Sequence, residues 1–428
     1  MPSVPRYSFF LAAFLSSLST LIPGVISGPS TLPQRDKNTS AGTGRAVYFI
    51  TNDETNAVVA LPIGADGRLS VGTLTPTGGA GSVALNSDNQ PATPDALVSQ
   101  SALTVAGNAV FAVNAGSNTL SMLAISTSDP TQLSLVGEPV EIPGEFANTV
   151  AASLKNGLVC VGTSGARAGV ACSRFSACGL EPMDDLRPFD IGQTTPPVGP
   201  TNTVSQVFFS ADESMLFTTV KGDPAANNTG FFSAFPVERT SSACRGERGR
   251  GRGRGRASVS ISSVEQRSTP EGTAVLFGSQ AIPGTSNVFV TDAAFGAVIL
   301  SVDQVSGQAT TVATGEIQGQ VATCWATISP ATGTAFVTDV AVNRIVEMSL
   351  QDASVLSELD LSANGDPGLI DLRAAGNFIY ALSPGNGTTE AAIAVVDVSG
   401  GSGSATMLQH FTLDGVAGQN AMGMAVLD

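Results

Sequence analysis

Two sets of polar residues recur along the chain in positions that could carry chemistry. Asn52, Asn114, Lys221, Asp292 and Asp339 each close an apolar run. Asp95, Asn148, Asn202, Gln320 and Asp366 each precede one. Brought to one end of a fold, they would form a ring of carboxylates and amides around a single lysine. Lys221 would hold an anion there, and Asp292 or Asp339 would act as a base if desolvation raised its pKa. The same residue types also cap strand ends and turns, so a purely structural role is equally open. The chain has 1 histidine, His410, which excludes a site built from several histidine ligands. Its setting, Leu408-Gln409-His410-Phe411, reads as an outer strand with a surface imidazole. No G-x-S-x-G elbow, P-loop, Rossmann glycine pattern or EF-hand loop occurs, so no cofactor and no metal is expected. The one metal alternative is a hard cation held by the acidic ring as a plug.

The elements that would position these residues come from a repeated two-strand phrase. Val288-Phe289-Val290-Thr291-Asp292 returns as Ala297-Val298-Ile299-Leu300, and Ala335-Phe336-Val337-Thr338-Asp339 returns as Ile345-Val346-Glu347-Met348. Related copies end at Asn52, Asn114, Gly162, Lys221 and Ser383. A shorter apolar run precedes most copies, as at 102–105, 150–154, 207–210, 274–277 and 324–328. Seven phrases, roughly 44 to 71 residues apart, predict an all-β, seven-bladed β-propeller over residues 45–428, since a four-stranded blade needs about 40 to 50 residues. The chain begins with a phrase lacking its inner run and ends on an inner run lacking its phrase. Residues 422–427 are therefore expected to complete the first blade and close the ring. Stacked sandwiches would not produce such a repeat.

Residues 1–27 read as a signal peptide: Arg6 supplies the positive start, 9–22 the apolar stretch, and Val25-Ile26-Ser27 the small-residue cleavage site. The expectation is a secreted, extracellular monomer with no membrane anchor. A disordered tail at 28–44 and an Arg/Gly-rich loop insert at 245–256 would flank or interrupt the propeller. Asn38, Asn227 and Asn386 head glycosylation sequons. A net charge of −15 argues against nucleic acid or an anionic membrane as partner. Among 5 cysteines, Cys160 and Cys172 lie symmetrically about Ala166 in a hairpin and are expected to bond. Cys178 could pair with Cys244, leaving Cys324 as a buried thiol.

Several segments carry a family resemblance. They are Asp95-Ala96-Leu97-Val98-Ser99-Gln100, Ala112-Val113-Asn114-Ala115-Gly116-Ser117-Asn118-Thr119, Gly199-Pro200-Thr201-Asn202-Thr203-Val204-Ser205-Gln206, Gly272-Thr273-Ala274-Val275-Leu276-Phe277-Gly278 and Ala322-Thr323-Cys324-Trp325-Ala326. With these the chain after Arg45 resembles the secreted fungal 3-carboxymuconate cyclase-like proteins of the lactonase-type seven-bladed propeller superfamily. The resemblance implies a site at the channel mouth, to which Gln206 and Trp325 would also belong. In that superfamily the cyclase adds a carboxylate across a conjugated double bond, and lactonase relatives open a lactone with water. Both reactions need cations for the acid groups and a group that moves a proton. The family's Gly-Pro-Arg-His motif corresponds here to Gly199-Pro200-Thr201-Asn202, and a family glutamate to Lys221. A later family arginine has no counterpart, with Asp292 and Asp339 nearby. Thr and Asn do not titrate near neutral pH. The resemblance thus implies a scaffold whose ancestral His/Arg pair is lost, acting as an extracellular binding or surface-interaction protein for a carbohydrate, cell-wall or protein ligand. The alternative is an active lactonase or muconate cycloisomerase-type enzyme acting on a small carboxylate or lactone, with Lys221, Asp292 and Asp339 as its working groups.

Overall fold

Continuous apolar runs become the second strand of each blade. Ala46–Ile50, Ala109–Asn114, Met215–Val220 and Phe378–Ser383 are buried at every position. Neighbouring blades cover both faces of these strands, so nothing selects for polar alternation. The outer strands Ala309–Glu316 and Val355–Asp360 alternate instead, as strands wet on one side do. These observations come from a computed structural model that describes residues 43–240 and 258–428. Seven antiparallel sheets of four or five strands make up the described chain, arranged as a seven-bladed β-propeller.

The innermost strands, from blade 1 to blade 7, are Met422–Leu427, Leu103–Ala106, Ala147–Ser153, Val204–Phe209, Leu276–Ala281, Thr323–Ser329 and Ile370–Ala375. Met422–Leu427 pairs antiparallel with Ala46–Ile50, placing Val426 opposite Val47. The last strand thereby completes the first blade, and no inner sheet edge is left open. Cys160 lies directly opposite Cys172 in blade 3, and the two are bonded. The signal peptide expected at 1–27, Asn38, Cys244 and the insert expected at 245–256 lie outside the described residues. Thr240 and Ser258, which flank the insert, pair with each other at the end of a blade 4 hairpin.

One irregularity recurs. Near the start of the inner strands of blades 3, 4, 5, 6, 7 and 1, the register with the second strand slips, at Gly162/Thr163, Val204/Gln206, Leu276/Ser279, Thr323/Trp325, Ile370/Leu372 and Tyr48/Ile50. A bulge leaves a residue unpaired in the ladder and re-aims its groups. Asn148, Ser205, Phe277, Gly278, Cys324, Asp371 and Gly423 occupy these positions, all at one end of the channel.

Candidate functional site

That end of the channel is sealed. Residues 96–101, which lead into the inner strand of blade 2, cross it and are buried throughout. Their polar backbone is taken up by the bulged strands around them, as buried peptide groups require. Lys221 Nζ donates to the Val98 carbonyl. Asn148 Nδ2 donates to the Leu97 carbonyl at 3.2 Å, and Trp325 Nε1 to the Ser99 carbonyl at 3.0 Å. The Gln100 backbone N–H donates to the Ser205 carbonyl at 2.9 Å. Its side chain brackets Ala326, donating to the carbonyl at 2.8 Å and accepting from the N–H at 3.1 Å. Ser101 N–H donates to Asp371 Oδ2 at 3.2 Å. Gly278 allows the closest approach: a Cβ there would lie 2.1 Å from Gln100 Oε1. Val98 holds φ of 49° and Ser101 φ of 67°. Such a conformation is rare for a β-branched residue and persists only where surrounding bonds over-determine it.

A charged cluster lies under this seal. Lys221 Nζ sits 4.2 Å from the centre of the Phe277 ring, and Phe277 packs edge-on against Trp325. Burial pulls the Lys221 amine below its ordinary range, opposed by the charge of Asp95. Burial pushes the Asp95 carboxyl up, opposed by Lys221. Asp95 is half-buried as a residue, but its Oδ1 is shut off from solvent and has no partner. The Cys324 thiol beside them is also pushed up by burial.

The structure assigns the other sequence-selected residues to the walls of this end. Asp292 accepts from the N–H groups of Ala274, Val275 and Ala294, and burial raises its pKa against those bonds. Asp339 repeats the arrangement with Val321, Ala322 and Ala341. Asn52 exchanges bonds with Ser82, and Asn114 bonds Asn56, Thr77 and Ser121. Gln320 bonds the Ala293 carbonyl and the Thr323 N–H. Asn202 meets Asn228 and Asp223 in an outer loop. Asp366 does not join the ring: both its oxygens lie 3.0 Å from Nε2 of His410, on the outer strand of blade 7. Lys221, Asp292 and Asp339 are all buried, and none lines an open cavity. Among the described residues, no cluster of three or more His, Cys, Asp or Glu side chains is placed to hold a metal.

The opposite end of the channel is open, as a chamber of about 700 Å³. That volume is within the range of small-molecule sites. Val150, Val207, Phe209, Ile328 and Val426 supply apolar wall. Thr104, Gln206, Ser279, Gln280, Thr327 and Arg373 supply polar groups, while Glu213 and Asp428 stand at the rim. Gln206 is the one expected binding residue that lines this space; its Oε1 accepts from Ser279 N–H at 2.5 Å. Among the described residues, Arg373 is the only basic one in the lining. Its Nη1 donates to Asp371 Oδ1 and to the Leu372 carbonyl, each at 2.7 Å, and its Nη2 to Ser101 Oγ at 2.7 Å. A guanidinium carries five N–H donors, so two remain without a partner among the described residues. Asp371 is fully buried; burial raises its pKa, and the Arg373 charge opposes the rise. Sequence reasoning missed Arg373. The available signal was a charged pair, Asp371 and Arg373, inside the run Ile370-Asp371-Leu372-Arg373-Ala374 that otherwise reads as an inner strand.

The described residues thus form a seven-bladed propeller whose channel is sealed at one end and open at the other around Arg373. The chain is similar along most of its length to the periplasmic gluconolactonase of Pseudomonas aeruginosa (13% identity, TM-score 0.59, 89% of this chain and 99% of that one). It is also similar to proposed 6-phosphogluconolactonases from Bacteroides fragilis (11%, 0.53, 92% and 100%) and Bacteroides uniformis (12%, 0.52, 70% and 80%). At these identities the likeness is one of fold. No family model matches the chain, and no curated protein matches it.

Proposed function

We propose that this is a secreted, glycosylated binding protein that holds a small carboxylate, or the lactone of one, in the open chamber against Arg373. The observation that carries this reading is the chamber itself: a blind cavity with one cation at its closed floor and no imidazole in its wall. A half-buried arginine with free donors recognises planar carboxylates in two-point fashion. Of the residues the alternative enzyme would use, Lys221 is bonded to the seal, while Asp292 and Asp339 are bonded to loop N–H groups beside it. The chain's histidine is occupied by Asp366, away from the channel lining. Asn227 and Asn386 are exposed and lie in loops at the sealed end, so glycans there would leave the chamber mouth clear.

Calorimetric titration with gluconate and with 3-carboxy-cis,cis-muconate tests this reading, alongside assays of glucono-lactone hydrolysis and of diene absorbance. Saturable binding is expected, weakened about tenfold in Arg373→Lys, which keeps the charge and loses the fork. Neither assay should show protein-dependent turnover. Catalysed lactone opening, or loss of the diene, would overturn the binding reading in favour of a lactonase or cycloisomerase. Absence of binding to every acid would remove it altogether.

A further inference from the structure

A second cavity of about 430 Å³ adjoins the chamber and shares Ser210, Ala211, Ala281 and Gly284 with it. It runs outward over the open end, between the first turn of blade 4 and that of blade 5. Its outer walls carry Ser286, Asn287 and Gln304. The Ser286 hydroxyl and the Asn287 amide make no hydrogen bond to the described residues, and Gln304 Oε1 is likewise unclaimed. Thr104 Oγ1 and the Gln280 amide nitrogen are in the same state within the chamber. Among the described residues, the groove's one ionisable lining residue is Asp212, whose Oδ1 accepts from the hydroxyls of Ser210 and Ser214, each at 2.7 Å. Charge is therefore unevenly spread along the two cavities: a cation at the chamber floor, Glu213 and Asp428 at the chamber rim, and Asp212 with neutral hydroxyl and amide groups in the groove.

We propose that chamber and groove form one extended site for a short saccharide ending in a uronic acid. The terminal carboxylate lies against Arg373, and the neutral sugar next to it lies between blades 4 and 5. This rests on the chamber being an acid site, as proposed above. The chemistry follows from the unclaimed groups. Sugar hydroxyls both donate and accept, which suits Ser286, Asn287 and Gln280 equally. An acyl tail would leave those groups desolvated without partners. A second acid in the groove would meet the Asp212 charge. Phe209, half-exposed in the chamber wall, offers an apolar face to the ring that carries the carboxylate.

The test compares glucuronate with a β-linked glucuronosyl-glucose disaccharide by calorimetry on the full-length secreted protein. The disaccharide should bind about tenfold more tightly, as two added hydrogen bonds would give. Ser286→Trp fills the groove from an exposed turn and should abolish that gain while leaving glucuronate affinity unchanged. Asn287→Ala, a milder change, should reduce the gain alone. Equal affinity of the two sugars for the wild-type protein would overturn the extended site while leaving the chamber reading standing. Equal loss of both affinities in Ser286→Trp would do the same. Failure of both sugars to bind, with gluconate still bound, would reject the uronate class; failure of every acid would reject the chamber reading itself.

Discussion

The two ends of the central channel are built from the same seven inner strands and have opposite fates. At one end the strands bulge, turn their backbone and side-chain polar groups inward, and spend them on residues 96–101. At the other they run in regular register and leave a chamber whose polar groups are partly unclaimed. The lesson is that polar residue type does not mark a binding site. Asn148, Lys221, Asp292 and Asp339 look like a reactive ring, yet each satisfies buried peptide groups that the crossing segment or a neighbouring loop would otherwise leave bare. Arg373, inside an apolar strand, keeps donors free.

The sharpest way to break this contrast is to remove the centre of the seal. Lys221→Met leaves the Val98 carbonyl without its donor and the Asp95 carboxyl without its counter-charge. A loss of about 3 kcal/mol is expected in urea unfolding, as for a buried carbonyl stripped of a charged donor. Wild-type stability in this variant would mean that the sealed end does not depend on its charged centre. Gly278→Ala should cost about 2 kcal/mol by overpacking, because the new methyl meets Gln100 Oε1 at 2.1 Å and the Cys324 carbonyl at 2.6 Å. A neutral effect would show that residues 96–101 can shift within the channel.

The last expected effect concerns pH. Asp95 has a folded pKa above its unfolded one, so its contribution is present in mild acid and is lost as pH rises through the raised value. Lys221 has a folded pKa below its unfolded one; its contribution is present at high pH and is lost as pH falls through the lowered value. Between about pH 5 and about pH 7.5, wild-type stability should therefore fall relative to Asp95→Asn. Parallel profiles of the two proteins in urea titrations would indicate that Asp95 titrates as a solvated acid and that the seal is wet.

The segments that carry the family resemblance gain a physical meaning from this contrast. Residues 95–100, Ser205 and Gln206, Phe277 and Gly278, and Cys324 and Trp325 are distant in the chain and converge at or just below the seal. In this chain these residues serve the closing of the channel, separately from whatever chemistry the open end performs.

By itself the sequence determined the blades, their number, the closure by Met422–Leu427 and the Cys160–Cys172 bond. These follow from local period, spacing and hairpin symmetry, which the chain writes in neighbouring residues. Only the tertiary structure decided which end of the channel is open. That depends on bonds between residues as far apart as Gln100 and Ala326, and on one-residue bulges that reverse where a side chain points without changing the apolar pattern. For the same reason Arg373 was hidden: in the sequence it is a charge inside a strand, and only the packing of seven strands around one axis turns it toward an empty space.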